Sequence, residues 1–196
     1  VVTPADGWDW AIAKTVFEIA DISWFEPITH LALTHLMIEP VALATRRNLA
    51  PNHPIARLLL AHVEGTISVN DNAVNHLLAD EGAIDQTFAA SMESIRKTAA
   101  NAISSHDFRR QTVAQTLADC GLDDKELIPD NPYRDDATRV WNAIATFVNG
   151  YVRRAYKDEA AVAADNEINS WAGVLGSSVA EGGLNGFGSV NSRADL

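Results

Sequence analysis

Cysteine is almost absent from this sequence. Cys120 is the only one in 196 residues, so no disulfide can form within the chain. Positive charge is scarce as well, with 15 Lys and Arg against 26 Asp and Glu and a formal net charge of −11. A nucleic-acid surface needs a basic patch or stripe, so nucleic acid is excluded as an expected partner. The acidic balance favours solubility and says little about fold. No unbroken apolar run reaches the ~18 residues of a membrane span. The opening "VVTPADGWDW" has neither the basic n-region nor the apolar h-region of a signal peptide. These two absences lead to the expectation of a cytoplasmic location with no transmembrane segment. What is present is apolar content of 47%, enough for a packed core in one domain or a large piece of one. Both ends read as interior to a longer chain, since "SRADL" stops without a cap or a polar tail.

Helical periodicity dominates. "WDWAIAKTVFEIAD" has apolar residues at helical spacing, with Asp6 as a cap before it. A second apolar stretch starts at Ser23 and runs to about Leu49. Pro27 suits the first turn of that helix, and Pro40 should kink its interior. Helices are also predicted in "IARLLLAHVEGT", "ISVNDNAVNHLLADEG" (closed by Gly82), "AIDQTFAASMESIRKTAANAISS" and "HDFRRQTVAQTLADCG" (closed by Gly121). "LDDKELIPDNPYRDD" reads as a long loop whose Asp135 and Asp136 cap the next helix. That helix, "ATRVWNAIATFVNGYVRRAY", places Trp141, Ile144, Phe147, Val148 and Tyr151 on one face. "DEAAVAADNEINSWAGVLGSSV" follows as helix, and the glycine-rich end is irregular. Few strands alternate and no repeat is visible, so the fold class is all-α.

Two histidines, His30 and His35, lie five positions apart in "THLALTHLMIEP". At ~100° per residue they point roughly 140° apart on an ideal α-helix. Ordinary core or surface histidines need no common face. A shared site needs a π-type turn between Leu31 and Thr34, where i→i+5 bonding and about 4.4 residues per turn return both rings to nearly one face. Such turns are frequent at functional sites.

At this point the sequence resembles the lipoxygenases, the non-haem iron dioxygenases of polyunsaturated fatty acids. The resemblance is colinear over essentially the whole chain. It is carried by "DGWDWAIAKTVFEIAD", by "HLALTHLMIEPVALATRRNLAPNHPIARLLLAHVEGT", by "NDNAVNHLLADEGAID", by "IPDNPYRDDATRVWNAIATFVNGYV" and by "DNEINSWAGVL". The second block holds the specific HxxxxH, EP and HP register. The resemblance implies a helical catalytic domain with a long metal-ligand helix and an arched helix over the site. It implies hydrogen abstraction from a pentadiene methylene and O2 addition, the entry to oxylipin and wider lipid metabolism. A nitrogen- and oxygen-rich site with an open position suits such iron.

The family holds its metal on three histidines, an asparagine or similar weak ligand, and a C-terminal carboxylate. Only His30 and His35 match. The later helix with the third histidine and the asparagine has no counterpart, and Leu196 is not read as the carboxylate. Residues 1–196 are therefore expected to be part of a single catalytic domain, truncated before the helix that carries the remaining ligands, with that C-terminal part as a missing partner. The resemblance also implies that Glu26, four before His30, orients the ligand from outside the metal's own set. A carboxylate favoured near a helix N-terminus is the plainer reading. Ala73 falls where the family gates oxygen with alanine or glycine, and Val74 departs from a commonly basic residue. Leu77 and Ile84 match channel-lining positions, and Leu31, Leu36 and Val69 extend that wall; plain core packing is the other reading of each. His53, His62 and His76 are not expected to bind metal, and Arg46 and Arg47 are expected to hold loop carbonyls or carboxylates.

The leading function is thus a fatty-acid dioxygenase whose 196-residue segment is inactive by itself. Polyunsaturated fatty acid and O2 are the expected partners, and a lipid substrate allows peripheral membrane contact. The alternative is a catalytically inactive helical scaffold with an incomplete metal site. A di-metal carboxylate bundle would need paired Glu-x-x-His motifs, and none occurs.

Overall fold

The computed structural model describes all residues, Val1–Leu196. It is helical, without strands. The helices are α1 (Trp8–Trp24), α2 (Met37–Asn48), α3 (Pro54–Leu59), α4 (Thr66–Asn72), α5 (Ala83–Thr87) and α6 (Met92–Ser105), then α7 (Val113–Asp119), α8 (Pro132–Ala155), α9 (Glu159–Ala163) and α10 (Asn166–Leu175). Two π segments, Phe25–Leu36 and Ala73–Leu77, join α1 to α2 and extend α4. Two compact units result: Val1–Glu39 with Val63–Ser105, and Pro40–His62 with His106–Leu196.

In the first unit, one face of the π segment packs on α6. Ile28 and Ala32 meet Ala99, while Leu31 joins Ala73, Ile84, Met92 and Ile95. Fully burying a side chain such as Ile28 or Ile95 contributes roughly 1.5–3 kcal/mol. Arg96 on α6 closes the turn after the second π segment, donating to the Leu78 carbonyl at 2.6 Å and pairing with Asp80 at 2.6 Å. Gly82 completes that turn. A Cβ there would lie 2.5 Å from the His76 carbonyl, so a larger residue has no room.

The second unit is braced by polar groups as well as by its apolar core. Ile55, Val152, Val162, Ile168, Leu175 and Val190 are buried. Buried Arg134 donates to the Ile128 carbonyl at 2.7 Å, to Pro129 at 3.2 Å and to Leu122 at 3.3 Å, which shapes the loop before α8. The Trp171 indole N–H donates to the Thr45 hydroxyl at 3.1 Å, and the Tyr151 hydroxyl to the Pro54 carbonyl at 2.9 Å.

Several expectations are corrected. Pro27 does not open a helix but sits inside a continuous one, and the helix runs through Pro40 to Asn48. That helix, Trp8–Asn48, has 41 residues and is long and apolar enough to cross a membrane by length and composition. Polar residues interrupt its apolar stretches, so the sequence showed no unbroken run. Length and composition do not separate a span from a core helix, and Ile28, Leu31 and Ala32 are packed in the unit's own core. Helix α8 starts at Pro132, capped by Asn131, whose Oδ1 accepts from the Arg134 N–H at 3.1 Å. Asp135 and Asp136 are not caps; they pair with Arg134 and Arg139. Five predicted helices are shorter or broken: 83–105 at Phe88–Ser91, 106–121 before Val113, 158–179 at Ala164–Asp165, 55–66 already at Leu59, and 67–82 already at Leu77. In each break a capping side chain or turn takes up backbone groups that the helix would otherwise use, as Thr112 does for the Gln115 N–H and Asp165 for the Ile168 N–H. Arg46 and Arg47 are exposed in the last turn of α2, where the helix dipole favours cations, and hold no loop. The apolar rows of α1 and α8 are uncovered: Trp8, Ile12 and Phe17, then Ile144 and Phe147, are all exposed.

Candidate metal centre

The backbone of residues 25–36 is π-helical, and it contains both histidines. Bonding five residues back is visible in Met37, whose N–H reaches the Ala32 carbonyl. The Thr34 hydroxyl also donates to the Thr29 carbonyl, five back, at 3.0 Å. Pro27 explains the start. It has no N–H for the carbonyl four residues earlier, and its ring would clash with that carbonyl in a straight α-helix. A wider turn relieves the clash. The segment is longer than the single turn expected between Leu31 and Thr34.

The widened helix brings the two imidazoles together, edge to face with ring centres 5.0 Å apart. Phe25 stacks beside His30 at 6.2 Å. Glu26 Oε2 lies 2.8 Å from His30 Nδ1. As a carboxylate it accepts a hydrogen bond from Nδ1–H, which in the neutral imidazole leaves the Nε2 lone pair free for a ligand bond. Both side chains of this pair are about half exposed, 48% for His30 and 40% for Glu26.

His30, His35 and Glu26 border a cavity of about 250 Å³. Leu31, Val69, Ala73, Leu77 and Ile84 line it too, so most of the expected channel wall meets the imidazoles. Ala73 is buried, whereas Val69 and Leu77 are exposed at 50% and 41%. Leu36, also expected on that wall, packs against the core around Leu31 and is not among the residues lining this cavity. Its neighbour His35 takes the cavity side, and consecutive residues of a π segment diverge by roughly 80°. Ala83, Thr87 and Phe88 were missed. Thr87 follows Ile84 by three residues, the spacing of one helix face, and that pattern could have found it; Phe88 lies just past the end of α5 with extended backbone, which helical spacing does not reveal.

No group of three or more His, Cys, Asp or Glu side chains is gathered for a metal. His62 and His76 are exposed and line no cavity with the pair. His53 is consumed elsewhere: its Nδ1 accepts the Ile55 N–H at 3.2 Å and its Nε2 meets Asp165 at 3.0 Å.

A lipoxygenase family model matches residues 1–176, and the chain belongs to the lipoxygenase family. It is 40% identical over 190 residues to a linoleate 9/13-lipoxygenase of Pseudomonas aeruginosa, spanning 96% of this chain and 27% of that protein. It is 33% identical over 176 residues to the human hydroperoxide isomerase ALOXE3, spanning 89% of this chain and 24% of the relative. Among solved structures, a lipoxygenase variant in complex with arachidonate superposes with a TM-score of 0.85 at 30% identity, over 96% of this chain and 28% of that one. The chain therefore spans about a quarter of the length of these relatives.

Proposed function

We propose that this chain is the part of a non-haem iron dioxygenase that carries the first two imidazole ligands, His30 and His35, and the apolar wall beside them. The observation that carries the reading is the pair of rings 5.0 Å apart on a π-helix, bordering one apolar cavity. The residues fit iron as part of a larger donor set: two nitrogen donors, one with its proton held on the far nitrogen by Glu26. When bound, the iron supplies the one-electron couple for removing hydrogen from a carbon between two double bonds. O2 adding to the carbon radical would give a peroxyl radical, which becomes a fatty-acid hydroperoxide on regaining one electron from that couple and a proton. The chain's own residues act on substrate and solvent. Leu31, Ala73 and Ile84 exclude water from the cavity, and the Ala73 methyl narrows one approach to the pentadiene. Val69 and Leu77, more exposed, stand where an acyl chain would enter.

The gathering of only two donors favours a second statement: the 196-residue chain alone is an inactive scaffold with an incomplete metal site. The remaining ligands belong to a further part of the same domain, and the bare faces of α1 and α8 are what such a part would cover. Elemental analysis is the test. The 196-residue chain, desalted after loading with ferrous iron, should retain far less than one iron per chain. A longer chain that includes the remaining ligands should retain one and form conjugated-diene hydroperoxide from linoleate. Stoichiometric, tightly held iron in the short chain, or a long chain without iron, would overturn the reading.

A further inference from the structure

Asn70 on α4 is 1% exposed and sits three residues before Ala73. Its Nδ2 donates to two acceptors, the His35 main-chain carbonyl at 2.8 Å and Glu39 Oε2 at 2.8 Å. Its Oδ1 is buried without any partner. An amide oxygen buried and unpaired is destabilising, so whatever this residue contributes comes through its nitrogen. That nitrogen meets a local need. Pro40 has no N–H, and it lies five residues after His35 and four after Leu36. The proline thus withdraws a donor from the carbonyls where the π segment passes into α2. Asn70 brings an N–H to that point from the helix that leads into the Ala73 wall.

We propose that Asn70 is a positioning residue: it ties the His35 main chain to α4 and so fixes the His35 ring beside His30 and against Ala73. This rests on His30 and His35 being the ligand pair. Two variants of the chain test it, Asn70→Leu and the exchange Asn70→Asp with Glu39→Gln. Two readouts apply: the nuclear Overhauser effect between the His30 and His35 rings without metal, and titration with cobalt(II). In the Leu variant both donors are gone, so the ring contact should weaken and cobalt affinity should fall at least tenfold. In the exchange, the amide introduced at position 39 can donate to the carboxylate introduced at position 70 and restore the link between the helices. A carboxylate cannot donate to the His35 carbonyl. Thermal stability should therefore recover while ring contact and cobalt affinity do not. A Leu variant with both readouts unchanged, or an exchange that recovers them, would overturn the proposal. Should the Leu variant not fold, the exchange decides. Should His30→Ala bind cobalt as the wild type does, the metal reading fails, and the ring contact still decides the role of Asn70.

Discussion

His30 and His53 each face a carboxylate, yet they are put to opposite uses. His30 gives Nδ1 to Glu26 at 2.8 Å, is half exposed, and keeps its second nitrogen. His53 spends both nitrogens, on the Ile55 N–H and on Asp165, with a side chain only 8% exposed. The difference extends to the regions around them. The first unit builds a cavity on widened helices and leaves functional groups unspent. In the second, His53, Asp165 and Tyr156 close on one another, and Arg134 closes on loop carbonyls. A histidine beside a carboxylate is thus a ligand candidate or a structural tie according to the nitrogen left over.

The largest effect expected from this contrast is on metal chemistry. In a chain with the complete ligand set, His30→Ala should abolish iron retention and hydroperoxide formation. Glu26→Gln should cost roughly 10–100-fold in metal affinity or activity, the usual penalty for removing a ligand's outer partner. Either change should move stability by no more than about 0.5 kcal/mol, as for other solvent-facing sites. A thermal melt beside an iron assay checks this, and a His30→Ala chain that keeps its iron would erase the distinction between the two histidines.

The converse holds for Asp165. Its Oδ1 caps α10, accepting from the Glu167 and Ile168 N–H groups at 3.0 and 3.1 Å. Its Oδ2 accepts from the Tyr156 hydroxyl at 2.8 Å and from His53 at 3.0 Å. Asp165→Ala should destabilise by about 3 kcal/mol, summing a lost cap and buried donors left unpaired. Denaturant unfolding measures it, and the His30–His35 ring contact should persist in the folded fraction. The same network sets an acid limit. Burial alone would raise the Asp165 carboxyl, but hydrogen bonds from His53, Tyr156 and the Ile168 N–H, with the charge of His53, hold it below the ordinary aspartate value. A lowered carboxyl stabilises the fold above its unfolded pKa of about 3.9. That contribution is lost as pH falls through the folded value. Wild-type stability should therefore fall below about pH 4 more steeply than that of Asp165→Asn. Equal slopes would mean that the carboxylate charge is not what the network uses. Tyr156 is pushed the other way, chiefly by burial and then by its bond to Asp165, so it stays protonated throughout this range.

The two regions were not equally legible in the sequence. The five-residue spacing of His30 and His35 made sense only on a widened helix, and helical spacing from His30 pointed back to Glu26. The wall residues Val69, Ala73 and Leu77 repeat at four, so their common face could be read as well. Leu36 could not be placed, because one residue's rotation in a π segment decides between cavity and core. The second π segment, Ala73–Leu77, has no proline or matched pair to announce it. The helix breaks of the second unit depend on caps such as Asp165 and Thr112, whose hydrogen bonds compete with helical continuation by small margins. The tie between His53 and Asp165 joins residues 112 apart, which local pattern does not reveal.

The smallest expected change sharpens the contrast most. Ala73 begins the second π segment, is 6% exposed, and borders the cavity with both imidazoles. Ala73→Gly removes one methyl from that wall. As a glycine inside a helix it should cost about 1 kcal/mol of stability, far less than the loss of Asp165. Its effect on chemistry can be larger than its effect on the fold. A change of ~1.4 kcal/mol between two routes of oxygen addition is already tenfold in product ratio. If the methyl blocks one end of the pentadienyl radical, its removal should shift part of the product to the other position, with opposite chirality. Chiral-phase chromatography of the hydroperoxides made from linoleate by the complete enzyme and its Ala73→Gly variant is the measurement. An unchanged profile from a folded, active variant would place Ala73 with the packing residues, and the first unit would then differ from the second in its free imidazole nitrogens but not in its wall.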